Sequence, residues 1–159
     1  MKEESIKAYS RRVSQANRSE LIVIMYDIIL EDIQDARELL ASGDPEGFQK
    51  SLAHAVRFVS ELMVALDVNY PVSKHLMRLY IYVNRCLNHA RIQRKDTELD
   101  AAEQVLHGLY TAFEGVAQQD HSLPVMEHTQ KLYAGLTYGR GVLNETLVSP
   151  DEENRGFKA

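Results

Sequence analysis

Cys86 and His89, three positions apart, come nearest to reactive chemistry in this sequence. A nucleophilic thiol needs a base within reach and a third group to orient that base, and a tetrahedral zinc site needs four donors. Cys86 is the only thiol, and Val83 and Leu87 beside it belong to an apolar stripe, which marks a packing or groove-lining cysteine. Glu103 and His107 stand four apart, a spacing that suits an exposed polar pair on a helix. The remaining histidines, His54, His75, His121 and His128, are scattered and share no mechanism. A two-metal helical bundle would carry Glu-x-x-His on two helices, and the pattern is missing, as are glycine-rich nucleotide loops and paired-cysteine zinc spacings. The sequence assigns no catalytic residue, no cofactor-binding residue and no metal ligand, and the expected protein is not an enzyme and needs no cofactor.

The elements that carry these residues read as helices, because apolar positions recur at intervals of three and four rather than in alternation. Ile22, Met25, Ile29, Ile33, Ala36 and Leu40 predict a helix over 18–40, with Asn17 and Glu20 as a capping box and Ser19 as the competing cap. Ser42-Gly43-Asp44-Pro45 closes it and opens the next, since glycine tolerates a left-handed end, aspartate accepts from free amides and proline fits a first turn. Phe48, Leu52, Ala55, Val59, Leu62 or Met63, and Leu66 predict a helix over 45–66, and Leu76, Tyr80, Val83, Leu87 and Ala90 one over 73–94. A further helix starts at Asp96 and aligns Leu99, Ala102, Leu106, Leu109, Phe113 and Val116.

Short connectors make successive helices antiparallel neighbours, so the fold class is all-α: an antiparallel up-down-up-down four-helix bundle with an N-terminal arm and an additional C-terminal helix. The chain forms a single helical domain, with the four-helix core over 18–118, the C-terminal helix over 124–147 and a flexible tail over 149–159. Residues 1–17 are poorly periodic, with Ile6, Tyr9 and Val13 as isolated apolar anchors that order only on docking. One surplus remains: Leu21 to Tyr26 is apolar beyond a single stripe, and Leu79, Tyr82 and Cys86 form a second line beside the core line. Either the arm and the C-terminal helix cover these lines, or they face a partner helix.

Composition excludes whole classes of partner. With 18 Lys plus Arg against 23 Asp plus Glu, the net charge of -5 gives no general attraction to nucleic acid, and Arg11-Arg12 and Arg91, Arg94 and Lys95 read as solvated surface. The longest apolar run has six residues, too short for membrane insertion. A lone cysteine and the lack of a secretion-signal pattern make the cytoplasm the expected location.

Several blocks together resemble the FliS family of flagellar export chaperones. These are Ala8-Tyr9, the run from Ser19 to Asp27, the run from Glu61 to Asp67 and, most diagnostic, the run from Leu79 to Ala90 with its Leu-Tyr-x-Tyr opening and its Arg85-Cys86-Leu87 centre. The resemblance spans residues 5–118. It implies a cytoplasmic chaperone that holds the disordered C-terminal region of flagellin in a hydrophobic groove, prevents premature polymerisation and keeps it competent for flagellar type III secretion. Other flagellar export components are possible partners, and self-association stays open.

Carried over by motif position, Ile6 and Tyr9 belong to an arm over the groove, and Leu21, Met25 and Tyr26 to the apolar start of the first long helix. Leu79, Tyr82, Asn84, Arg85 and Cys86 are further groove candidates, whereas Tyr80, Val83, Leu87 and Phe113 support the core. This sequence departs from the family pattern at Val68-Asn69-Tyr70-Pro71, where a glycine-rich connector is usual. It departs again at Arg91, where asparagine is usual, and at Phe113, near the place of a tryptophan. The alternative reading is a non-catalytic helical adaptor or a phosphorelay-associated bundle.

Overall fold

A computed structural model describes residues 3–126, and the expected C-terminal helix and tail lie outside the described residues. Five α-helices follow in order: α1 (Glu3–Gln15), α2 (Arg18–Ala41), α3 (Pro45–Val64), α4 (Pro71–Gln93) and α5 (Leu99–Gln119). Among the described residues no strand occurs. The four long helices pack in a ring, α2 on α3 and α5, and α4 on α3 and α5, while α1 leans on α2.

Local chemistry sets the boundaries. Asn17 and Glu20 form the expected capping box: the Asn17 side chain accepts from the Glu20 amide at 2.9 Å, and the Glu20 carboxylate accepts from the Asn17 amide at 2.8 Å. Gly43 adopts φ +80°, where an L side chain would be strained, and Asp44 then accepts from the Gly47 amide to cap α3, with Pro45 in the first turn. The Asp67–Tyr70 connector turns without glycine because Asp67 accepts on two sides. Its carboxylate takes the Asn69 amide at 2.9 Å, and its carbonyl takes the Ser73 hydroxyl at 2.5 Å. The expected cap at Asp96 is corrected: Asp96 closes a turn through its carbonyl, which accepts from the Leu99 amide, and α5 starts only there.

The core is the intersection of the four stripes. Tyr26, Ile29, Ile33 and Ala36 of α2 meet Phe48, Leu52, Ala55, Val59 and Leu62 of α3. Tyr80, Val83, Leu87 and Ala90 of α4 meet Leu99, Ala102, Leu106 and Leu109 of α5. Val116, expected to extend this stripe, is 54% exposed, because three- and four-residue steps carry the line off the inward arc by the last turns of α5.

The poorly periodic N-terminal arm contains the helix α1. Tyr9 and Val13 of α1 settle on Leu21, Ile24, Ile28 and Phe58, so the second apolar line of α2 is covered from within the chain. Arg12 ties the two helices by an ion pair with Asp27 at 2.7 Å. Beyond α5 the chain returns to the same corner: Ser19 donates to the Asp120 carboxylate at 2.5 Å, Asn17 donates to the Asp120 carbonyl at 2.9 Å, and the Val125 amide donates to the Ala16 carbonyl at 3.0 Å.

Candidate functional site

About three contiguous turns of α4, from Leu79 to Ala90, carry most of the sequence-derived site residues, and helical geometry sorts them. Tyr80, Val83, Leu87 and Ala90 point into the core. One step around the helix, Leu79 and Tyr82 remain 37% and 38% exposed. Cys86 lies on the same line but closes it from below: only 4% of its surface is accessible, and it packs in the main core. The neighbouring Cys86, foremost through a side-chain hydrogen bond, raises the Tyr82 phenol above its usual range.

One flank of α5 is built from small groups. Ala101, Val105, Gly108, Ala112 and Val116 recur at intervals of four and three, which stacks them along one outward line. Nothing stands within 4 Å of where a Cβ would sit on Gly108, so the surface is open at that point, while Val105 is half-buried against the core. By helical position Leu79 and Tyr82 stand on the flank of α4 that faces this side of α5. Sequence reasoning missed the α5 half and took Val116 for core; the signal was present as a second small-residue line beside Leu106 and Leu109.

Other candidates fall elsewhere. Tyr26, expected at the groove, is fully buried and belongs to the core, where its ring lies 5.6 Å from that of Phe113. This is a correction with a simple cause: the apolar run from Leu21 to Tyr26 covers more than half a turn of surface, and Tyr26 falls on its inward side. Met25 is half-buried against the main core, and Leu21 is half-buried under α1. Ile6 is exposed on α1 and Tyr9 half-buried. The Tyr9 phenol is kept protonated chiefly by burial and by its hydrogen bond to Glu31. These residues sit on α1 and α2, across the ring from α4, so the structure makes two surfaces of what the sequence presented as one. Asn84 is half-buried and accepts from the Asn88 amide at 2.5 Å, and Arg85 is exposed.

The residues first considered for chemistry are engaged in structural contacts. His89 bonds Glu98 through Nδ1 at 2.5 Å and meets Gln93 through Nε2 at 2.6 Å. Glu103 is held by Arg37 at 2.8 Å rather than by His107. Among the described residues no group of three or more His, Cys, Asp or Glu side chains is arranged to hold a metal ion, and no helix is long and apolar enough to cross a membrane.

A helical bundle with exposed apolar side chains on one flank of α4 and a terminal helix laid over α2 has the make-up of a protein-binding bundle. The family described as "Flagellar protein FliS" matches residues 2–120, and the chain belongs to this family of flagellar export chaperones. No curated protein matches the chain.

Proposed function

We propose that the chain is a cytoplasmic, non-catalytic chaperone of flagellin, acting on an antiparallel up-down-up-down bundle. The disordered C-terminal region of flagellin folds into helical segments against two surfaces: one segment seats in the α4–α5 trough, and another takes the α2 surface that α1 occupies in the free protein. The observation that carries this reading is the pairing of exposed Leu79 and Tyr82 with the small-residue line of α5, open at Gly108. Large aromatic and aliphatic side chains on one helix beside small ones on the next form a ridge and a channel, which suits an amphipathic helix laid lengthwise.

Burial of the client's apolar face would drive its folding, and the ordering cost of about 2 to 5 kcal/mol keeps the complex releasable. While bound, the same client face is withheld from other flagellin molecules, which prevents polymerisation and leaves the chain competent for flagellar type III secretion. No turnover chemistry is involved.

The decisive experiment is calorimetric titration of a flagellin C-terminal peptide into the full chain and into its Tyr82→Asp variant. A buried charge in the trough lowers affinity by at least tenfold, about 1.4 kcal/mol, whereas Tyr82→Phe retains binding. Unchanged affinity for Tyr82→Asp in a folded protein would rule the trough out.

A further inference from the structure

The opposite flank of α4 carries a second surface, chemically unlike the trough. Lys50 and Gln49 of α3 face Arg91, Ile92 and Arg94 at the end of α4 across a shallow cleft of about 520 Å³, whose remaining lining is Glu46 and Ala53. In a chain of net charge -5, this is a local concentration of positive charge. Its geometry is fixed from below: the Gln49 side chain donates to the Arg91 carbonyl at 3.2 Å, pinning α4 to α3. The one carboxylate of the lining, Glu46, lies 4.0 Å from Lys50, and among the described residues no carboxylate pairs with Arg91 or Arg94.

Two further features mark the cleft. Ile92 is 72% exposed among these cations, an aliphatic side chain with no internal cover. Arg94 ends α4 at φ 55° and ψ 46°, and it is the one non-glycine residue with positive φ among those described. Helix ends of this kind favour glycine, because a Cβ collides with the following carbonyl in the left-handed region. An arginine kept in a strained position beside two further cations points to a use for its guanidinium.

We propose that this cleft docks an acidic protein segment that carries an aliphatic side chain among its carboxylates. Arg91, Arg94 and Lys50 pair with the carboxylates, and the aliphatic group packs on Ile92 and Ala53. Arginine forks bind carboxylate through two parallel hydrogen bonds, and low solvation of the guanidinium favours such a pair at an interface. Nucleic acid fits less well: the lining has no aromatic side chain on which a base could stack, and the net charge opposes phosphate. Because the cleft and the trough use different flanks of α4, both can be filled at once, which would let an acidic partner hold the chaperone while the client is still bound.

The test is fluorescence anisotropy of a labelled alternating glutamate–leucine peptide with the full chain and with its Arg94→Gly and Arg91→Glu/Arg94→Glu variants. The expected result is saturable binding that weakens with salt and falls about tenfold in Arg94→Gly and further on charge reversal. Arg94→Gly should also raise Tm by about 2 to 4 °C, since glycine relieves the left-handed end, so loss of binding in that variant is not loss of fold. Affinity for the flagellin C-terminal peptide stays unchanged in both variants. No saturable binding, equal affinity across the variants, or tighter binding of an alternating lysine–leucine peptide overturns the proposal. So does a single-stranded DNA oligonucleotide that displaces the peptide more effectively than unlabelled peptide does, or a dimer in sedimentation that Arg94→Gly dissolves.

Discussion

The phenol oxygens of Tyr26 on α2 and Tyr80 on α4 lie 2.5 Å apart at the centre of the bundle, joining two helices that stand at opposite corners of the ring. Each hydroxyl is a buried polar group satisfied by the other, and burial foremost holds both phenols protonated above the usual tyrosine range. Tyr26→Phe or Tyr80→Phe leaves the surviving hydroxyl without its partner and should cost about 1 to 3 kcal/mol in urea unfolding. The double Phe variant should cost less than the two single losses added together. Strict additivity would show that the pair is not coupled.

The corner clasp has its own pH signature. Asp120 is held at about 2, from an ordinary 3.8, by hydrogen bonds from Ser19 first and then Ser122. A folded pKa below the unfolded one stabilises the native state above pH 3.8, and the contribution is lost as pH falls through about 2. Ser19→Ala should move the midpoint of acid unfolding to higher pH, read by far-ultraviolet circular dichroism. An unshifted midpoint would mean that the clasp does not report on global folding.

Asp32 works in the other direction. Its carboxylate is buried between α2 and α3, with one oxygen bonded to His54 Nδ1 at 2.6 Å and the other without a partner. Burial raises its pKa more than the His54 bond lowers it. A folded pKa above the unfolded one favours folding at pH below 3.8, and this advantage fades as pH rises through the raised value. Asp32→Asn should therefore gain about 1 kcal/mol of stability at neutral pH in chemical denaturation. A loss of stability there would show that the His54 contact outweighs the cost of burying the charge.

Helix α1 rests on α2 through Tyr9 and Val13 on the α2 line, the Tyr9–Glu31 hydrogen bond and the Arg12–Asp27 pair. Removal of residues 1–15 exposes Ile24, Ile28 and Phe58 and should speed association with the flagellin C-terminal peptide in stopped-flow measurements. Equal rates for the intact and shortened chains would end the idea that α1 competes with the client.

The long helices were legible in the sequence because their signals are local. The capping box at Asn17 and Glu20, the Gly43-Asp44-Pro45 turn and the stripes of α3 and α4 each follow from spacing within a few residues. Helix α1 was less so: Ile6, Tyr9 and Val13 do fall at intervals of three and four, but so short a stripe makes a stable helix only against a surface supplied by α2. The site was half legible. Periodicity located a second apolar line on α4, yet whether Tyr26 or Cys86 faced outward depended on where neighbouring helices sit, which spacing on one helix does not encode. The α5 side of the trough escaped because alanine and glycine carry little hydrophobic signal. Its opening lies in the side chains it lacks.

The Val125–Ala16 hydrogen bond also bears on chain order. It brings the strand of chain leaving α5 beside the residue that precedes α2, so the four-helix ring is almost a closed circuit of polypeptide. Linking those neighbouring points and opening the Asp67–Tyr70 connector would give a circular permutant with the same four helix contacts in a different order of synthesis. In such a molecule α1 would no longer be the bundle's own leading segment, and its effective concentration over the α2 line could be set by the length of whatever tether carried it.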